Sequence, residues 1–158
     1  MLGSLVLVSI TLGGAGCERT QSVAAEDVRS TVSAYNEALI RGFAGFDMNE
    51  LNRTATEDQA QREFYLMAAL GEGRVRMLST LQSIEFGDVA FPADGQASVT
   101  TTEIWDYVHE SLDTSETVRS EQGVVYNLRY DLVLQDGRWL VDRVTSLDEP
   151  PATEDSAP

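Results

Sequence analysis

The sequence predicts an α+β domain in which N-terminal helices pack on a strongly curved antiparallel sheet, and three observations lead there. Val28, Val32, Tyr35, Leu39 and Phe43 recur at spacings of four, three, four and four, which draws a single apolar stripe along a helix. From Gln82 onward the period falls to two, the alternation of strands with one buried face. Asp136-Gly137 then stands between two alternating runs, a dipeptide that favours a tight hairpin because both central residues need positive φ. Helices first and strands afterwards separate the two into layers.

The chain of 158 residues is long enough for one domain with a proper core and too short for two comfortable ones. Leu2 to Leu12 is apolar over the length of a signal-peptide core, well short of a membrane span, so residues 1–16 are expected to be a removed signal peptide. The run LGGAGC that closes it contains the only cysteine and resembles the lipobox of bacterial lipoproteins, in which the cysteine is lipidated and becomes the first mature residue. Gly14 stands where that pattern usually has Leu, Val or Ile, and no Lys or Arg precedes the apolar core. The resemblance implies lipid on Cys17, anchorage to a membrane of the bacterial cell envelope, and an extracytoplasmic domain. An ordinary secretory signal with an incidental cysteine and an uncleaved anchor are the alternatives. Residues 17–22 then form the lipidated cysteine and a polar spacer, 23–147 the domain, and 148–158 a disordered acidic tail with two adjacent prolines and no large apolar side chain.

Within the domain, the striped helix turns Glu26, Arg29, Asn36 and Glu37 outward and ends near Gly42 and Gly45. A short second helix runs from Asp47 through Leu51. Thr56 with Gln59 three residues on has the form of a capping box opening a third, whose apolar residues continue through Leu81 with a break at Gly71–Gly73. Residues 82–91, 97–110, 117–135 and 138–147 read as strands. They are separated by Pro92–Gly95, by the polar stretch around Asp113 and by Asp136-Gly137, and Gly123 marks a bulge or a bend.

Composition narrows the chemistry. All 11 basic residues are Arg, and 26 acidic ones leave a net charge of −15. Such a surface repels phosphates, so no nucleic acid partner is expected. A GC-rich genome and a high-salt habitat would each produce this bias. With Cys17 lipidated, no thiol remains for disulfides, zinc or catalysis. There is no Gly-rich phosphate loop and no GxSxG elbow, one histidine cannot build a familiar zinc site, and pairs such as Glu57-Asp58 lack the alternating ligands of a calcium loop. No metal and no cofactor are expected.

The order of helix, short helix, helix and curved sheet, with Tyr35-Asn36 early and VVYNLRYDLVLQDGRWLVDRV at Val124 to Val144 late, resembles the nuclear transport factor 2-like superfamily of cone-shaped domains. Glu103-Ile-Trp105, the later Tyr-x-Leu-x-Tyr-x-Leu strand and the DGRW hairpin are similar to the IMS-like domains of plastid and cyanobacterial division proteins. The resemblance implies a pocket at the open end of the cone, an active site in some members and a ligand or partner site in others. Isomerases and dehydratases of that superfamily use a pocket Asp or an Asp-His pair, because proton abstraction beside a carbonyl needs a base and a donor for the oxyanion. Here the candidates are Asp131 and His109, which no spacing pairs. Tyr35, Trp105, Tyr107, Tyr126, Tyr130 and Trp139 are the aromatics expected around core and pocket, with Trp139 packing on the helical layer. The expectation is a non-catalytic, lipid-anchored domain that binds a small apolar ligand or a protein partner, with homodimerisation through the sheet face as a further option. A small isomerase or dehydratase using Asp131 or His109 is the alternative.

Overall fold

The computed structural model describes the backbone of residues 15–148 and the side chains of 22–148. Residues 1–14 of the expected signal peptide (1–16), the side chain of Cys17 and the expected acidic tail from residue 149 lie outside the described residues. In chain order the elements are helix α1 (Ala15–Gly45), a 3-10 helix (Asn49–Arg53), helix α2 (Glu57–Glu72) and strands β1 (Val75–Ala93), β2 (Gln96–Ser111), β3 (Thr117–Gln135) and β4 (Arg138–Ser146). The strands pair in sequence order, all antiparallel, and the two long helices pack on the inner face of the bent sheet.

The expected stripe is the buried face of α1: Val28, Val32, Tyr35 and Phe43 are sealed from solvent and Leu39 is half-buried. Two expectations for this helix change. Its backbone is already helical at Ala15, so the segment 17–22 read as a spacer belongs to α1; Glu, Arg and Gln are adequate helix formers that propagate an established helix. Asn36, expected to face outward, is 1% exposed. It lies one turn beyond Val32, and the sheet curls far enough around α1 to cover that flank.

The short second helix is a 3-10 turn two residues later than predicted, and it plants Leu51 in the core. Thr56 does cap α2, its hydroxyl accepting from the Gln59 N–H at 3.4 Å. The reciprocal half of the box is missing. The Thr56 N–H donates to the Val141 carbonyl instead (2.9 Å), and Val141 returns a bond to Thr54 (2.8 Å), tying the α2 entrance to β4.

The largest correction concerns residues 75–81. They open β1 rather than continue a helix: α2 ends at Glu72, and Arg74 takes φ 58° to turn the chain into the sheet. Val75, Met77, Leu78 and Leu81 suit either period. Their pairing with the far end of β2, Val75 opposite Ser111 and Met77 opposite His109, is a long-range contact that local spacing does not contain. Pro92 also stays within β1, so the β1–β2 turn is only Asp94-Gly95.

β3 matches its predicted span, and the hairpin after it is as expected, with positive φ at Asp136 (51°) and Gly137 (74°). At Gly123 (φ 65°) the register slips: Trp105 pairs with Val124 but Tyr107 with Glu121, and the Gly123 N–H donates to Asp106 Oδ1 at 2.8 Å. Asp148, assigned to the tail, accepts from the backbone and side-chain amides of Asn127 and is held against β3.

Candidate functional site

Curvature leaves a cavity of about 830 Å³ between the inner face of the sheet and the two long helices, within the range of small-molecule sites. Alternation decides what lines it. On β2 the inward residues at this end are Glu103, Trp105 and Tyr107, and on β3 they are Tyr126, Leu128 and Tyr130. Trp105 and Tyr107 lie nearly parallel (12°, centroids 6.0 Å apart), and Tyr126 meets Tyr107 edge-on at 6.3 Å. Opposite them, α1 contributes Tyr35, whose ring meets Tyr130 edge-on at 6.2 Å.

At the base of the cavity stands a buried carboxylate, Glu103, 1% exposed. Its Oε1 accepts from Tyr130 OH (2.8 Å), Thr101 Oγ1 (2.9 Å) and Asn36 Nδ2 (3.2 Å), and its Oε2 accepts from Trp105 Nε1 (2.8 Å). Four neutral donors satisfy a group whose burial would otherwise be costly. Burial first, and then the neighbouring Glu103 carboxylate, push the Tyr130 hydroxyl far above its ordinary range, so it stays a donor.

A second polar cluster lies on the helical wall. Glu63 Oε1 accepts from Tyr35 OH and from Gln59 Nε2, both at 2.9 Å, and Gln59 Nε2 also donates to Tyr35 OH. Arg62 reaches Gln59 Oε1 (2.9 Å) and the Asp142 carbonyl (3.3 Å). Burial raises the Glu63 carboxyl above the usual carboxylate range, opposed by its hydrogen bonds from Tyr35 and Gln59 and by nearby Arg62. The same burial, reinforced by Glu63, raises Tyr35 well above the usual phenol range.

Of the aromatics singled out in the sequence, Tyr35, Trp105, Tyr107, Tyr126 and Tyr130 line the cavity. Trp139 does not. It lies at the other end of the sheet, half-buried against the core and 6.0 Å from the Phe91 ring. Asp131 is also off the cavity, since alternation turns it to the outer face, where Arg129 donates to it at 3.1 and 3.0 Å. His109 lies beyond the cavity near the end of β2, opposite Met77 and Arg119, its enclosed Nδ1 without a hydrogen-bond partner among the described residues. Nothing brings His109 and Asp131 together.

Asn36, Gln59, Glu63 and Glu103 were not expected at the pocket from the sequence, although Asn36, Gln59 and Glu103 stand in its motifs. Glu103 carried a readable signal: an acid in phase with Thr101, Trp105 and Tyr107 on an inward face calls for donors around it. Glu63 sits one turn after Gln59 on a helix with no clear stripe, so its orientation was not legible. Among the described residues no cluster of His, Cys, Asp or Glu could hold a metal ion, and no helix is long and apolar enough to cross a membrane.

No family model matches the sequence, and no curated protein matches it significantly. Solved structures do. The intermembrane space region of the chloroplast protein ARC6 superposes with a TM-score of 0.66 at 16% identity, over 79% of this chain and 97% of that one. A ketosteroid isomerase-like protein from Erwinia carotovora atroseptica gives 0.52 at 14% identity, over 79% of this chain and 97% of that one. An Ntf2-like protein involved in plasmid conjugation gives 0.54 at 13% identity, over 82% of this chain but half of that one. At such identities the likeness shows the fold alone, a cone shared by proteins of different kinds.

Proposed function

We propose that this nuclear transport factor 2-like cone is a non-catalytic binding domain, held at the extracytoplasmic face of a bacterial membrane by lipid on Cys17, whose pocket takes a small, largely apolar ligand. One observation carries the binding reading: the buried acid of the pocket, Glu103, engages both oxygens with four internal donors. Three of those donors converge on Oε1 and the fourth holds Oε2, so Glu103 is the tie that holds β2, β3 and α1 around the cavity. Neither Asp131 nor His109 lines the pocket. What remains available to a ligand is mostly ring and aliphatic surface.

Nile red, an uncharged dye that brightens in apolar surroundings, tests this. It should bind saturably at one site, and Ser79→Phe, which fills the cavity from β1, should abolish the signal while the protein stays folded by circular dichroism. Dye binding that survives Ser79→Phe would place the dye elsewhere and remove the support. The anchor rests on LGGAGC and is tested separately: Cys17→Ser should release the protein from membranes.

A small isomerase or dehydratase is the second reading, favoured by the Glu63 carboxyl, which burial raises on the pocket wall beside a Tyr hydroxyl. Turnover of a cyclic ketone or hydroxy-ketone that disappears in Glu63→Gln would replace the binding reading with this one.

A further inference from the structure

We propose that the pocket selects a ligand whose apolar body carries a cationic nitrogen, a quaternary or protonated amine, seated against the Trp105, Tyr107 and Tyr126 rings and facing the carboxylates of Glu63 and Glu103. The proposal rests on the binding reading and names the chemistry of its ligand.

Charge placement comes first. Every ion pair among the described residues joins groups outside the cavity: Arg41 with Glu37 and Glu50, Arg74 with Asp113, Arg76 with Glu110, Arg119 with Glu121, and Arg129 with Asp131. Neither pocket acid is in one. Glu103 takes its four hydrogen bonds from neutral donors alone, and no cation pairs with it among the described residues. Arg62 lines the cavity as well and acts electrostatically on Glu63, but its guanidinium is directed to Gln59 and the Asp142 carbonyl, and Glu63 takes its two hydrogen bonds from Tyr35 and Gln59. Arg143 also borders the cavity, an exposed residue of the edge strand β4 whose register partner is Asp131 of the outer face.

The rings act with the same sign. An aromatic face is the negative end of the ring quadrupole, so Trp105, Tyr107 and Tyr126 favour a cation over a neutral group of the same shape. Two carboxylates and three aromatic rings therefore line one cavity, and the overall charge of −15 steers cations toward the protein. An anion would meet both carboxylates on the cavity lining. A neutral ligand gains only from buried area. The raised Glu63 carboxyl agrees with this picture, since a cation beside it would restore the charged form that burial disfavours.

The test uses a charge-matched pair: benzyltrimethylammonium and its uncharged carbon isostere neopentylbenzene. In a Trp139→Phe background Trp105 is the only tryptophan and reports on the cavity directly. Benzyltrimethylammonium should bind about tenfold more tightly than neopentylbenzene, the factor that one to two kcal/mol of cation–π and carboxylate attraction produces. Glu63→Gln in the same background should shrink that preference, lowering benzyltrimethylammonium affinity more than neopentylbenzene affinity. Equal affinities, or tighter binding of the neutral probe, would overturn the cation proposal and leave the binding reading standing. Absence of any Trp105 response to either probe would overturn the cation proposal too, and the Nile red experiment then decides separately whether the pocket binds at all. A preference that persists undiminished in Glu63→Gln would overturn the part of the proposal that assigns recognition to Glu63.

Discussion

The two ends of the sheet's inner face obey one alternation rule and do opposite things. At the packed end, Val99, Leu132 and Val141 are fully buried beneath the helices, and Phe91 with Trp139 closes the tip. At the open end the same strands turn Glu103, Trp105, Tyr107 and Tyr126 inward around empty space. The dividing point is the bridge between Ala55 and Val141, which fastens the start of α2 to β4; beyond it the β4 edge from Arg143 to Ser146 borders the cavity. Alternation thus decides which side chains face inward, and the path of the helices decides whether facing inward means core or pocket.

The difference can be broken at the packed end first. Leu132 is 1% exposed, so Leu132→Ala should cost about 3 kcal/mol through lost burial and a residual cavity, read as a lower urea midpoint with an unchanged slope. At the open end, Glu103→Leu removes the acceptor of four donors and should cost about 2 kcal/mol, whereas Glu103→Gln should recover most of that by keeping the Oε1 bonds. A neutral Glu103→Leu would mean that packing alone shapes the pocket. Trp139→Ala comes next. The side chain is half-buried, so a loss of about 2 kcal/mol is expected, below that of a fully enclosed aromatic, and Nile red binding should not change.

The smallest effect is a pH dependence. Because burial raises the Glu63 carboxyl in the folded protein, the folded state holds more protons than the unfolded one between the ordinary carboxylate pKa and the raised value. Stability should fall as pH rises through that window and level off above it. Glu63→Gln should flatten the decline in the urea midpoint, and an unchanged slope would assign the dependence to other groups.

The sequence by itself determined the inner stripe of α1, the antiparallel meander, the Asp136-Gly137 hairpin and the irregularity at Gly123. All of these rest on local rules: a helical or strand period, a turn that needs positive φ, and the parity that places residues two apart on one face. Only the tertiary structure decided that Val75 to Leu81 belong to the sheet, that Asn36 is enclosed, that Trp139 and Asp131 lie off the cavity, and that Glu63 and Glu103 stand on its walls. The reason is physical. The fate of each depends on a partner far along the chain: the end of β2 for Val75 and Met77, the curl of the sheet over α1 for Asn36, and donors from α1, β2 and β3 for Glu103. Period and propensity act over a few residues, whereas the burial of a polar group depends on what the folded chain brings to it.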